Sequence, residues 1–181
     1  PVNWNALAVT GNDIDLSRKR TERLLAVSDF ARERGGEVIA LTIPTPPNIY
    51  VNLHNGVGFD SIPGLWRSIF KFELAERIEQ FRNPEVRRQL AADVLSIDDN
   101  SPLAFKKHLG EYYIVNVVSK ANQPYKGRKI AEISQCEGRE AIDVLLDVAI
   151  ADGLLTTFLP DTGGEDLASY ELRGRLWEDD R

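Results

Sequence analysis

A strand–helix–strand pattern at the start of the chain constrains its fold more than any other feature. Residues 2–9 are apolar and partly β-branched, which is typical of a buried strand. Residues 16–34 follow with helical spacing, and Gly35-Gly36 ends that segment before a second apolar run at 37–43. Two continuous apolar strands joined by a helix predict a parallel sheet that is buried on both faces.

The predicted helix has an apolar face that we expect to pack on this sheet. That face consists of Leu24, Leu25, Val27 and Phe30, while most of the charged side chains lie outside it. Either Asp15 or Ser17 is suited to cap its first turn.

The remainder of the chain predicts further helices and strands around a long irregular stretch. Proline, glycine and asparagine break every periodicity between residues 44 and 66, and a loop of this length in a compact domain usually is functional or covers something. Helices are predicted at 71–82, 84–95, 130–135, 139–152 and 165–177, and strands at 112–119 and 154–159.

Composition excludes several classes of protein. The 181 residues carry a net charge of −6 without a basic block, which argues against nucleic acid as the main partner. No apolar run approaches the roughly 20 residues of a membrane span, and no secretory signal is visible. The single cysteine cannot form an internal disulfide, so we expect a reducing, cytoplasmic location. The absence of methionine and the strand-like opening lead us to expect a piece of a longer chain.

Few side chains offer catalytic or metal-binding chemistry. His54 and His108 stand alone, outside metal-ligand spacings such as HxH. His54 and Asn55 lie in the irregular stretch, where ligand contact and a solvent-facing position are both open interpretations. Cys136 has no CxxC partner and is predicted to be a half-buried structural thiol. These side chains alone therefore do not identify a reaction.

Two neighbouring segments carry a longer pattern. Residues 127–133 read GRKIAEI, and residues 138–147 read GREAIDVLLD. Together they resemble a segment of the amidohydrolase family that contains D-aminoacylases and other N-acyl-D-amino-acid deacylases. Shorter stretches resemble other parts of the same family in the same order: PVNWN at 1–5, GGEV at 35–38, IPGLW at 62–66 and YELRGRLW at 170–177.

The resemblance implies a (β/α)8 barrel in which zinc activates a water that hydrolyses the N-acyl bond of a small-molecule N-acyl substrate. It also implies that the family's HxH motif and catalytic aspartate lie outside these residues. Asn5-Ala6-Leu7-Ala8 occupies the position of the family's S-H-x-K motif, and Ile43 and Thr45 replace the tyrosines of its Y-P-Y segment. The sequence thus predicts no metal ligand and no catalytic residue in this chain, with zinc expected only in the full-length parent.

We therefore expect a partial (β/α)8 TIM-barrel fragment with an inserted α/β lobe. The expected divisions are a strand–helix–strand at 1–44, a lobe at 45–126 and a return to the barrel at 127–181. Asn5 and Thr45, at the carboxyl ends of parallel strands, should face the active-site mouth, and His54 and Asn55 should line or cover it. The fragment alone should be inactive and should self-associate.

Two other interpretations remain open. One is a small α/β binding or interaction module without a catalytic role, which the lack of a nucleophile, base or metal cluster in the sequence favours. The other is a barrel whose catalytic metal has been lost.

Overall fold

The computed structural model describes residues 1–99, 101 and 104–181, and it describes Asn5 and Ala6 by their backbone alone. In this part of the chain the fold is mixed α/β. The strands are β1 (Val2–Leu7), β2 (Val38–Thr42), β3 (Tyr112–Asn116) and β4 (Thr157–Pro160). The helices are α1 (Ile14–Arg32), α2 (Leu65–Ile69), α3 (Leu74–Arg82), α4 (Pro84–Leu95), α5 (Ile130–Glu137), α6 (Ala141–Ala151) and α7 (Leu167–Glu178).

The chain divides into two compact units. The first unit combines Pro1–Asn48 with Thr162–Arg181, and the second unit is Ile49–Asp161. The sequence grouped residues 127–181 together, whereas α5, α6 and β4 lie in the second unit and α7 lies in the first.

The first unit is built on a parallel pair of strands. β1 and β2 pair from Val2 opposite Val38 onwards, and the register shifts between Asn5 and Leu7. The predicted parallel pairing is therefore confirmed. Helices α1 and α7 contribute Leu25, Leu172 and Leu176 to a small core with Leu7 and Val9 of the β1 segment.

The expectation that both strands are fully buried is wrong for the described residues. Ile39 and Leu41 of β2 are 41% and 46% exposed, and Val2 of β1 is 62% exposed. Val38 and Ala40, which alternate with the exposed pair, are half-buried. Side chains alternate between the two faces of a strand, so helices cover one face of this pair and leave the other uncovered. On that face Ile39 and Leu41 stand opposite the register positions of Asn3 and Asn5.

The predicted apolar face of α1 is also partly wrong. Leu25 is buried and Leu24 half-buried, but Val27 and Phe30 are exposed. Ser17, Thr21 and Ser28 are buried in their place. Two of these hydroxyls are satisfied at short range, since Ser17 Oγ donates to Thr10 O at 2.8 Å and Thr21 Oγ1 donates to Arg18 O at 3.0 Å.

The second unit has a larger core of its own. Phe59 and Trp66 stack with ring centroids 5.2 Å apart, and Trp66 Nε1 donates to Leu90 O at 2.9 Å. β3 and β4 pair in antiparallel fashion, and Val51 extends this pairing through backbone hydrogen bonds to Phe158. The antiparallel pair and helix α2 are features that the sequence did not predict.

Helix boundaries in the second unit follow local signals that the sequence shows. Asn83 caps α4 by accepting from Glu85 N at 2.9 Å, and Pro84 occupies the first turn. Gly138 ends α5 with a φ of 64°, a left-handed conformation that favours glycine. None of the helices in the described part of the chain combines the length and apolar character that crossing a bilayer requires.

Candidate functional site

Asn5 and Thr45, the two site residues predicted at strand ends, both lie in the first unit. Asn5 pairs with Leu41 in the parallel ladder, and its side chain lies outside the described residues. Thr45 follows the end of β2 by three residues and is exposed. Carboxyl ends of parallel strands meet at one edge of a sheet, which is where ligands bind in α/β folds.

His54 and Asn55, the two other predicted site residues, lie in the second unit on an ordered loop. Both are exposed. Asn52 Oδ1 accepts from the backbone N–H groups of both residues, at 3.1 and 3.0 Å, and Asn55 Oδ1 accepts from Val57 N at 3.0 Å. Asn55 thus supports a turn. The imidazole of His54 is in an exposed position, which the solvent-facing interpretation anticipated.

A buried arginine donates hydrogen bonds to the backbone of this loop. Arg77 of α3 is 8% exposed, and its guanidinium lies over the Phe70 ring at 5.2 Å from the centroid. Nη1 donates to the carbonyls of Leu53 and His54 at 3.1 and 2.5 Å, and Nη2 donates to those of Phe70 and Phe72 at 3.0 and 2.9 Å. Burial lowers the pKa of the guanidinium, an effect that Glu73 opposes. The group remains a cation that joins two loop segments.

A buried lysine holds the other end of the same loop. Lys106 is 6% exposed, and Nζ donates to Gly58 O and to Ser61 Oγ. Burial lowers the pKa of its ammonium group, although the charge of Asp60 acts in the opposite direction. Loop 53–61 is therefore fixed at both ends by cations that bind its backbone carbonyls.

A third buried cation lies in the first unit. Arg173 of α7 is 2% exposed, and its Nη2 donates to Val9 O, just after β1, at 2.7 Å. Among the described residues, Nε and Nη1 have no hydrogen-bond partner. Gly164 leaves room for this guanidinium, because a Cβ there would lie 2.9 Å from Nη2 and 3.0 Å from Val9 O.

A shallow cavity of about 220 Å³ lies between α5 and α6 in the second unit. Its charged rim is already paired: Arg139 contacts Glu137 and Asp147, and Tyr125 donates to Glu137 at 2.9 Å. The hydrogen bonds from Arg139 and Tyr125 lower the pKa of Glu137. Cys136 lies next to this rim on α5 and is exposed, so its predicted half-buried position is wrong.

The described residues do not fit the zinc centre that the family resemblance implies. No group of three or more histidine, cysteine, aspartate or glutamate side chains in the described ranges is arranged to hold a metal ion. Leu7 and Ala8, in the stretch corresponding to the family's late histidine motif, carry no donor atom in their side chains. We therefore assign no reaction step to a metal held by these residues.

Comparisons with known proteins identify neither a family nor a function for this chain. No family model matches the chain, and neither a curated protein nor a solved structure matches it.

The three buried cations are the candidate residues that sequence analysis missed. A weak signal exists for two of them. Arg77 lies three residues after Leu74 and four before Phe81, which places the three on one face of a helix. Arg173 lies between the buried Leu172 and Leu176. A basic residue on an apolar stripe indicates a buried charge that needs acceptors. Lys106 follows the apolar segment PLAF, and no periodicity around it indicates burial.

Proposed function

We propose that this chain is an arc of a (β/α)8 barrel from a metal-dependent amidohydrolase that resembles N-acyl-D-amino-acid deacylases. The observation that carries the proposal is the parallel β1–β2 pair with helices over one face and Ile39 and Leu41 exposed on the other. In a barrel, the outer face of each strand packs on helices and the inner face packs on other strands. In the complete barrel we expect other strands to cover Ile39 and Leu41.

Unpaired polar groups in the first unit support the same proposal. Buried Trp4 Nε1, Ser28 Oγ and two nitrogens of Arg173 have no partner among the described residues, whereas in the described second unit the same holds for one atom, Arg77 Nε. A buried donor without an acceptor costs about 1–3 kcal/mol, so such groups are uncommon in a finished core. Acceptors on neighbouring barrel strands would remove this cost.

The proposed reaction is hydrolysis of a C–N amide bond by metal-activated water, with the metal held outside these residues. The most family-like segments, 127–133 and 138–147, include most of α5 and α6. In this proposal Asn5 and Thr45 are candidate substrate-binding residues of the barrel arc, and His54 and Asn55 belong to the inserted lobe.

The test uses the protein encoded by the complete reading frame. We expect zinc by elemental analysis and release of free D-amino acid from N-acetyl-D-amino acids. The double variant Asn5→Ala/Thr45→Val should lower kcat/KM by about 10-fold or more, because positioning contacts of this kind carry at least 1.4 kcal/mol. Its melting temperature should stay close to that of the wild type.

A matched control is Asn3→Ala/Thr42→Val, which changes the same residue types within β1 and β2 and should leave kcat/KM unchanged. Zinc without amide hydrolysis would contradict the proposed reaction. A folded protein without zinc would favour the barrel that has lost its metal. Equal kinetics of the two double variants would remove Asn5 and Thr45 from the site.

One observation favours the alternative, a non-catalytic α/β binding or interaction module. The second unit has a contiguous core from Val51 to Phe158, as a self-contained module would. That interpretation predicts a monodisperse monomer with neither zinc nor hydrolytic activity.

A further inference from the structure

Ser61 and Lys106 form a contact whose chemistry the proposed function does not use. Lys106 Nζ lies within hydrogen-bond distance of Ser61 Oγ and Gly58 O, and Ser61 Oγ itself donates to Gly58 O at 3.0 Å. The two residues are 45 positions apart in sequence, so the fold brings them together. Ser61 is half-exposed as a residue, whereas Lys106 is buried.

The environment of Lys106 favours loss of its proton more than that of a surface lysine does. No described ion pair involves Lys106, whereas its neighbour Lys107 pairs with Asp99 at 2.7 Å. Burial without a paired carboxylate disfavours the ammonium form. Burial accordingly lowers the pKa of Lys106, with Asp60 as the opposing charge. Once neutral, Nζ can accept a hydrogen bond from Ser61 Oγ while still donating to Gly58 O.

We infer that Ser61 and Lys106 form an acyl-transfer site, with the Ser61 hydroxyl as nucleophile and the Lys106 amine as general base. A serine hydroxyl becomes reactive when an adjacent base removes its proton, and serine–lysine pairs are a known form of this arrangement. The proposed site lies within the second unit, and its reaction does not depend on a metal.

The reaction balances with an ester and water alone. Ser61 Oγ attacks the ester carbonyl carbon while its proton passes to Lys106 Nζ, and the tetrahedral intermediate then expels the alkoxide, which takes that proton. The resulting acyl-serine is hydrolysed when a water gives its proton to Nζ and attacks the carbonyl. Nζ returns the proton to Ser61 Oγ, so the products are one carboxylic acid and one alcohol.

The surroundings favour a small, neutral ester. Asp60 precedes Ser61 in the chain and is exposed, so a negatively charged substrate would meet an electrostatic penalty there. Val57, in the same loop, is 57% exposed and offers apolar contact for a short acyl group.

The experiment treats the 181-residue chain with p-nitrophenyl acetate and separately with a fluorophosphonate probe, followed by peptide mapping. We expect acetyl and phosphonyl groups on Ser61. Ser61→Ala and Lys106→Met should each lower the hydrolysis rate by about 100-fold or more, the usual size of a lost nucleophile or base.

Two matched controls isolate the lysine contact. Ser68 Oγ donates to Leu65 O at 3.0 Å, the same local geometry as in Ser61, and no described hydrogen bond links Ser68 to a lysine. Ser68→Ala and Lys107→Met should keep both the labelling and the rate. Circular dichroism and thermal melting check that each variant is folded.

Three results would overturn the inference. These are labelling of Lys106 in place of Ser61, equal rates in Ser61→Ala and Ser68→Ala, and undiminished Ser61 labelling in folded Lys106→Met. If Lys106→Met does not fold, the comparison of Ser61→Ala with Ser68→Ala still decides the outcome.

Discussion

Arg77→Ala is expected to lower the free energy of unfolding of the chain by about 2–4 kcal/mol, because carbonyl acceptors lose a charged donor and a cavity is left behind. The guanidinium donates to four backbone carbonyls, two in loop 53–54 and two at residues 70 and 72. Without it these carbonyls lose a charged donor, and the space beside the Phe70 ring is left empty. The measurement is urea denaturation at neutral pH.

The control for this prediction is on the same helix. Arg82 lies one turn further along α3 and forms an exposed pair with Glu79. Exposed ion pairs contribute about 0–1 kcal/mol, so Arg82→Ala should have little effect. Comparable losses in the two variants would show that the carbonyl contacts of Arg77 do not stabilise the loop.

Gly56→Ala is the second change with a large expected effect, a loss of about 2–5 kcal/mol from backbone strain and overpacking together. Gly56 has a φ of +76°, which side chains other than hydrogen rarely adopt. A Cβ there would overlap the base of the Phe70 ring and lie 2.9 Å from its Cε1. Because Arg77 lies over this ring, moving Phe70 would also disturb the hydrogen bonds from Arg77 to the loop carbonyls.

Gly127→Ala separates the two contributions. Gly127 has a φ of +83° but no atom within 4 Å of an added Cβ, so it carries the strain without the clash. Its replacement should cost about 1–2 kcal/mol. Thermal and urea denaturation of both variants check this difference. A Gly56→Ala loss no larger than that of Gly127→Ala would mean that the ring moves aside freely.

Local signals in the sequence predict several elements well. The Asn83-Pro84 cap and first turn place the start of α4, and Gly138 and Gly153 mark where α5 and α6 end. The βαβ pattern predicts the parallel β1–β2 pair. These features depend on residues close together in the chain, so a single sequence contains the information.

Features that depend on distant residues could not be predicted in the same way. A continuous apolar run looks identical whether both of its faces are covered or only one, so the exposure of Ile39 and Leu41 was not visible. The buried side of α1 carries the small residues Ser17, Thr21 and Ser28. The periodicity of large apolar side chains therefore pointed to Val27 and Phe30.

The candidate site likewise could be predicted only where it depends on neighbouring residues. Sequence analysis located the loop of His54 and Asn55, because asparagine and glycine mark its turns. It missed the two cations that fix this loop, since each reaches its acceptors across at least five residues of sequence. Basic side chains are usually exposed, so burial is not expected for them. Acceptors that are far away in the sequence leave no recognisable pattern around the basic residue.

The measurement that tests the barrel proposal most directly is sedimentation velocity of the 181-residue chain beside the double variant Ile39→Lys/Leu41→Lys. We expect concentration-dependent self-association of the wild-type chain and a monomer for the variant, because two charges would replace the exposed apolar side chains of β2. The control Leu95→Lys/Val118→Lys replaces two exposed apolar residues of the second unit and should still associate. A wild-type chain that stays monomeric at every concentration, or equal behaviour of the two double variants, would rule out the barrel arc.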